Sequence, residues 1–284
     1  MHRFTVPSIL VTAVLVVAVV SASGCTSQSK PPAKSPDKHG QHAHGSEMSP
    51  EPAAQLVLSS TPERPRAGEP VELRIMLHDA AGQMLKEFEP THTKLAHLII
   101  IREGLDEFAH LHPTVDATGN MTAAHTLKSG GSYLVFLDHK PVGKPAATAH
   151  AKLVVEGDSP PAPALKPDVP GTIEGDGLQA KVSLRAPADK AQVVSFQVQD
   201  ASGKPTSDLQ PYLGAMGHLV VLSADGSQYV HAHPLTETAP DGNVEFEVQF
   251  PGPGTYKGWG QFQRGGKVFT IPAVMQVEGG APHH

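Results

Sequence analysis

A histidine spacing that occurs twice constrains this chain more than any other feature. The stretch His97–Pro113, HLIIIREGLDEFAHLHP, recurs 121 residues later as His218–Pro234, HLVVLSADGSQYVHAHP. The pattern H-x12-H-x-H-P is kept in both copies, although most residues between the histidines differ. Because both copies keep the same histidines, we expect these side chains to have the same role in each copy.

Each copy has the form of a β-hairpin, and the residues at its centre predict the register. Asp225-Gly226 separates two alternating apolar runs and is a favoured pair for a type I′ turn. Gly104-Leu105 stands at the equivalent place in the first copy and suits a type II′ turn. Both turns predict one register, in which the three histidines of each copy share a face of the hairpin.

Three histidines on one hairpin face can bind a transition metal. Opposed residues have Cβ atoms about 5 Å apart and diagonal neighbours about 7 to 8 Å, so the imidazoles can converge on one ion through bonds of ~2.0 to 2.1 Å. Imidazole suits Cu(II) and Zn(II), and the divalent series favours copper, with zinc as the alternative. Structural histidines bonded to a neighbouring loop are the other interpretation. The predicted ligands are His97, His110 and His112 in one site and His218, His231 and His233 in the other.

Further candidate ligands lie near each copy. The first copy is richer in histidine, and His92, His125 and His139 are candidate accessory ligands. The second copy has Met216 two residues before His218, where a continuing strand would place it on the histidine face. We expect Met216 to fill the core, and a thioether that helps to retain Cu(I) is the other role it could have.

The first 24 residues predict an export signal. Arg3 precedes an apolar run that is too short for a comfortable membrane span. The run ends in Ala22-Ser23-Gly24-Cys25, which resembles the lipobox of bacterial lipoproteins, although the usual leucine is Ala22 here. Cys25 is therefore the expected lipid carrier, and an ordinary secreted protein is the alternative. As the one cysteine, Cys25 cannot form a disulfide within the chain.

Residues 25–52 predict a disordered tether, because proline, serine, lysine and glycine dominate and apolar residues are few. His39, His42 and His44 lie in it, and a histidine-rich tether can hold metal loosely. Solvated filler is the alternative interpretation.

The rest of the chain predicts an all-β protein made of two tandem immunoglobulin-like β-sandwich domains, because short β-prone runs alternate with glycine, proline and aspartate turns. We expect each domain to fold independently. Gly-x-Tyr at Tyr133 and Tyr256 resembles the tyrosine corner of such sandwiches. The predicted boundaries are 53–157 for domain 1, 158–172 for a proline-rich linker, 173–279 for domain 2 and 280–284 for a tail.

The second half of each domain carries a family resemblance. The pattern HL-apolar-apolar, then aromatic-x-H-x-H-P, then Gly-x-Tyr is similar to the extracytoplasmic YtkA-like and FixH-like β-sandwich domains. Some of those domains accompany copper-handling proteins, so the resemblance implies a β-sandwich and a link to copper. The second copy departs from it with Phe262 where the first has His139.

Composition narrows the partners. With 22 Lys+Arg against 28 Asp+Glu and no basic block, the chain lacks the charge pattern of a nucleic-acid binder. No phosphate-loop or nucleophile-elbow motif occurs, and no carboxylate is evident beside the histidines, so a three-histidine metalloenzyme ranks below a binding protein.

The sequence therefore predicts a lipid-anchored, copper-binding protein of the cell envelope that faces the periplasm or the exterior and buffers or delivers metal. Its expected partners are the membrane, through the lipid anchor, and another metal-handling envelope protein. A structural or adhesive surface module with buried histidines is the alternative function.

Overall fold

The computed structural model describes residues 44–47, 54–185, 191–232 and 234–278, and these residues form strands and connections without a helix. No described segment is therefore a helix of the length and apolarity that a membrane span requires. Predictions about the signal segment, Cys25, His39, His42, His233 and the 280–284 tail concern residues outside these ranges.

The described strands follow the alternating runs of the sequence closely. In chain order they are β1 (His44–Glu47), β2 (Gln55–Thr61), β3 (Pro70–His78), β4 (Ala96–Arg102), β5 (Phe108–Leu111), β6 (Thr114–Val115), β7 (Met121–Thr126), β8 (Gly131–His139), β9 (Ala147–Val155), β10 (Gly171–Gly175), β11 (Leu178–Arg185), β12 (Gln192–Gln199), β13 (Leu209–Gln210), β14 (His218–Ser223), β15 (Gln228–Ala232), β16 (Asn243–Val248), β17 (Gly254–Arg264) and β18 (Lys267–Val277).

The first domain is a sandwich of two antiparallel sheets. One sheet has the order β2-β3-β7-β6 and the other β5-β4-β8-β9. In immunoglobulin nomenclature these orders are A-B-E-D and C′-C-F-G, so the predicted immunoglobulin-like topology is confirmed. The second domain repeats the second of these sheets, in which β15, β14, β17 and β18 pair in sequence. Its other sheet, β10-β11-β12-β16, keeps the equivalents of A, B and E and gains β10 as an edge strand next to A.

The tyrosine corner is present in both domains. The hydroxyl of Tyr133 lies 2.7 Å from the carbonyl oxygen of Ser129, and that of Tyr256 lies 2.9 Å from the carbonyl oxygen of Gly252. Each phenol thus donates back to the backbone four residues upstream, as the Gly-x-Tyr motif predicts.

Strand β1 departs from the prediction that residues 25–52 are flexible throughout. It pairs antiparallel with the outer edge of β15, with His44 in register with His231 and Glu47 with Gln228. Part of the tether therefore extends a sheet of the second domain.

The two histidine hairpins have the predicted register but different turns. Leu98 pairs with Leu111 in the first hairpin, and Val220 with His231 in the second. The predicted type I′ and type II′ turns are wrong, because the positive φ falls on Leu105 (56°) and Gly226 (74°), and neither Gly104 nor Asp225 has one. In each hairpin the amide of that left-handed residue donates to the carbonyl three residues earlier. A shared turn type thus explains the shared register.

Both faces of strand β4 in the first domain are buried, which explains why both are apolar. Leu98, Ile100 and Ala109 pack in the domain's own core. The alternate residues Ile99 and Ile101 pack instead in a third cluster that contains residues of both domains. We call this third cluster the inter-domain cluster; its buried members are Ile99, Ile101, Leu105, Phe136, Val220, Leu222, Tyr229 and Trp259.

The proline-rich linker lies against the domains instead of standing away from them. The Arg102 guanidinium donates to the carbonyl oxygen of Pro160 at 2.6 Å and to Ser159 Oγ at 2.9 Å. Leu165 packs against the inter-domain cluster. Both sandwiches belong to one compact unit, Gly40–His284.

Candidate metal centre

The two domains meet through equivalent surfaces, so their contacts are reciprocal. Phe108 of the first domain stacks on Trp259 of the second, with ring centroids 5.0 Å apart. The equivalent residue of the second domain, Tyr229, stacks on Phe136 of the first at 4.3 Å. Since residue i meets residue j and j meets i, the arrangement is that of a twofold dimer formed within one chain.

Histidines of both copies meet at this interface. The sequence predicts two separate sites, whereas the ring of His97 lies 5.5 Å from that of His231 and 6.3 Å from that of His218. His110 lies 5.5 Å from His231. We call this group the histidine cluster; its described members are His92, His97, His110, His112, His218 and His231.

Within the first domain, His97 and His110 face each other through nitrogen atoms that are both hydrogen-bond acceptors. His97 Nε2 lies 3.0 Å from the carbonyl oxygen of Thr91, and His110 Nδ1 lies 2.6 Å from Gln261 Oε1. Oxygen atoms of carbonyl and amide groups only accept, so each ring carries its proton on that outer nitrogen. The inner nitrogens, His97 Nδ1 and His110 Nε2, are 3.0 Å apart and each presents a lone pair when the rings are neutral.

His112 completes a group of three. Ligand atoms of His97, His110 and His112 all lie within 4.8 Å of one another. His112 Nε2 is buried and has no hydrogen-bond partner among the described residues. Three ligands around a tetrahedral ion have nitrogen atoms ~3.3 Å apart. A small rotation of the His112 side chain would therefore bring its nitrogen to the distance that a shared ion requires.

The second domain fixes its histidines in the same way. His218 Nε2 donates to the carbonyl oxygen of Tyr212 at 2.9 Å, and Tyr212 is the equivalent of Thr91. His231 Nδ1 donates to Asp138 Oδ2 at 2.7 Å. His233, the equivalent of His112, lies outside the described residues.

Asp138 and Gln261 are residues of the candidate site that the sequence did not reveal. They occupy equivalent positions in β8 and β17, and each orients a histidine of the other domain. Asp138 also accepts from Tyr229 and Thr148, at 2.7 and 2.6 Å. A carboxylate therefore does lie beside the histidines, contrary to the sequence prediction. The sequence feature that could have indicated Asp138 is the alternation of side chains along β8, which places Asp138 on the same face as Phe136.

His92 reaches the cluster from a tight turn. His92 and Thr93 have φ of 48° and 67°, and Thr91 and Lys94 exchange both of their backbone hydrogen bonds across them, as in a type I′ turn. The equivalent turn holds Leu213 and Gly214. The ring of His92 lies 5.5 Å from that of His218, so this accessory candidate does lie at the centre.

The other accessory candidates lie elsewhere. His125 belongs to β7 in the opposite sheet, paired with Val71. His139 points into its own domain, where its ring contacts Phe88 edge-on at 6.2 Å, because its parity in β8 is opposite to that of Asp138. Met216 is buried in the core of the second domain, in agreement with the expectation that it fills the core. The structure therefore places His125, His139 and Met216 outside the histidine cluster.

Burial keeps the cluster neutral. Loss of solvation, together with the repulsion of neighbouring histidines, lowers the pKa of His110 and of His218 to about 3 and that of His112 to about 4. Burial also lowers the pKa of His97 and places that of His231 well below its ordinary value. Neutral imidazole is the form that binds metal.

Comparison with curated proteins finds no match. Among solved structures, the chain is similar to a tetra-tandem repeat in the extending region of a large adhesion protein, with 15% identity, a TM-score of 0.28 and coverage of 80% of this chain and 50% of that one. It is also similar to FdeC, an Escherichia coli adhesin, with 18% identity, a TM-score of 0.26 and coverage of 80% and 65%. The chain thus spans one half to two thirds of these proteins, and likenesses this weak do not bear on what it binds.

A family model matches both repeats. The match covers residues 53–157 and 172–279, which is most of the chain. It does not extend to the YtkA-like and FixH-like resemblance, which stays a prediction. The chain belongs to the family described as "Domain of unknown function (DUF8832)".

Proposed function

We propose that this protein binds a transition-metal ion through His97, His110 and His112, with copper as the metal and zinc as the alternative. The observation that carries the proposal is the 3.0 Å approach of His97 Nδ1 and His110 Nε2, whose partners leave both as acceptors. Two buried lone pairs at that distance repel each other unless a proton or a metal ion lies between them.

A metal ion fits this position better than a proton does. A shared proton would make one ring an imidazolium, and the pKa of His110 is about 3 because the ring is buried. A metal ion instead uses neutral imidazoles, and outer hydrogen bonds such as those to Thr91 and Gln261 are the usual support of histidine ligands. His112 supplies the third nitrogen.

Burial differs among the histidines of the cluster. His97, His218 and His231 are 1%, 0% and 5% exposed, while His110 and His112 are half-buried, so the proposed site can be approached from solvent on the side of His110 and His112. The role that follows is to hold and pass on metal. We infer from the lipobox-like sequence that the protein does this in the cell envelope, anchored through Cys25.

Calorimetric titration of the full chain with Cu(II) and Zn(II) tests this proposal. The double variant His110→Asn/His112→Asn should lose one bound ion, and metal should raise the melting temperature of the native protein more than that of the variant. The matched control is His78→Asn/His125→Asn, which removes two histidines from the opposite sheet of the same domain.

Equal metal binding by both double variants, or no saturable binding to the native protein, would contradict the proposal. The histidines would then be structural, which the hydrogen bonds to Thr91 and Tyr212 also permit.

A further inference from the structure

We infer that the histidine cluster is one centre that holds two metal ions, one in each half of the pseudo-twofold arrangement. This inference rests on the proposed function and extends it from the first domain to both. The first half contains His97 and His110, and the second half contains His218 and His231.

The number of donors exceeds what one ion can use. Six imidazoles of the described residues belong to the cluster, and four-coordination is usual for zinc. A single four-coordinate ion would therefore leave two of the six imidazoles outside its coordination shell. Two ions can use all six.

In the second half, the histidines donate hydrogen bonds through the same ring nitrogens as in the first. His218 donates through Nε2 to Tyr212, and His231 donates through Nδ1 to Asp138. The acceptor nitrogens of the neutral rings are thus Nδ1 of His218 and Nε2 of His231, the same atoms as in His97 and His110. The two ring pairs are similarly spaced, at 5.8 Å and 5.2 Å between centroids.

The two ions would be close enough to interact. Ring centroids of His97 and His231, on opposite sides of the interface, are 5.5 Å apart. Since each ion lies ~2 Å from its ligating nitrogens, the separation of the ions is on the order of 5 Å.

The halves differ in the charge behind one ligand. His231 donates to the carboxylate of Asp138, whereas His110 donates to the neutral amide of Gln261. A carboxylate makes the imidazole a stronger ligand and offsets part of the charge of a divalent ion. The second half should therefore fill first.

Electron paramagnetic resonance of the full chain during a Cu(II) titration tests the pair. The first equivalent should give the signal of an isolated ion. The second should broaden it and produce a half-field line, because the two spins couple. His110→Asn/His112→Asn should keep the isolated signal and lose the coupled one, while copper held by histidines outside the cluster stays uncoupled in both proteins.

Substitutions of the residues that accept hydrogen bonds from the ligands distinguish the halves without removing a histidine. Asp138→Asn should weaken the ion that binds first by about 10- to 100-fold, and Gln261→Glu should tighten the ion that binds second. The second variant is a gain of affinity, which a loss of folding cannot imitate. Asp158→Asn, an exposed aspartate in the linker, is the matched control.

Two bound ions without coupling would overturn the pair and leave the proposed function standing. A single ion that is weakened equally by His110→Asn and His231→Asn would also overturn it, in favour of one shared ion. Absence of copper binding would overturn both proposals.

Discussion

At the scale of single residues, histidines of the cluster are oriented by side chains that come from the opposite domain. Asp138 orients His231, and Gln261 orients His110. The sequence predicts the histidines, because their spacing is repeated, but it cannot predict these partners. Asp138 lies near no histidine of the second domain along the chain, and only the packing of the two domains brings them together.

Acidification should destabilise the metal-free protein. Burial lowers the pKa of His110 and His218 from 6.5 to about 3, whereas the unfolded chain keeps the ordinary value. Between pH 6.5 and about 3 the unfolded state therefore binds protons that the folded state does not, and the free energy of unfolding falls as the pH falls. From pH 7.5 to 5.5 we expect a loss of about 1 kcal/mol for each such histidine.

Urea unfolding with a chelator present measures this slope. His110→Gln should flatten it, and His78→Asn, outside the cluster, should not. A free energy of unfolding that stays constant from pH 7.5 to 5.5 would show that the cluster is not buried as described.

At the scale of elements, strand positions and register are predictable, and turn types are less so. The strands follow the alternation of apolar and polar residues. The register of each hairpin follows from the number of residues that connect its two strands. The turn prediction failed because Leu105 adopts a left-handed conformation that is unusual for a branched residue. Burial of Leu105 in the inter-domain cluster stabilises that conformation, and a tertiary contact of this kind has no local signal.

Thr93→Gly should stabilise the protein. Thr93 is exposed and has φ of 67°, which is strained for a β-branched residue, and the equivalent residue of the second domain is Gly214. Relief of about 1 to 3 kcal/mol of strain exceeds the extra entropy of glycine in the unfolded chain, about 0.5 to 1 kcal/mol. We expect a gain of about 1 kcal/mol in urea unfolding.

Thr122→Gly is the control, since Thr122 is also exposed but lies in β7. It should lower the free energy of unfolding by about 1 kcal/mol. A Thr93→Gly protein less stable than the native one would mean that the turn is not strained.

At the scale of the whole molecule, the sequence predicts two domains but not their association. The two faces of β4 are equally apolar, so the sequence alone does not tell a core from an interface. The structure assigns Leu98 and Ile100 to the core of the first domain, and Ile99 and Ile101 to the contact with the second. That contact turns two predicted sites into one cluster.

The first domain alone, residues 53–157, should fold and then dimerise. It has its own core, but without the second domain it exposes Ile99, Ile101 and Phe136 on a surface that is built for a twofold contact. Sedimentation should show a dimer whose population rises with protein concentration and with added Cu(II), and the circular dichroism should remain of β type.

Ile99→Asp should keep this fragment monomeric. Val154→Asp, at a position that is 67% exposed, should not. A fragment that stays monomeric with copper at all concentrations would contradict a twofold contact.

The proline-rich linker makes the association of the two domains independent of the protein concentration. Separate subunits part when they become dilute, and any ion held between them is then released. A short covalent connection keeps the partner surfaces at a local concentration of about millimolar, however few molecules are present. A cell could therefore make very little of this protein and still keep the two halves of the histidine cluster together.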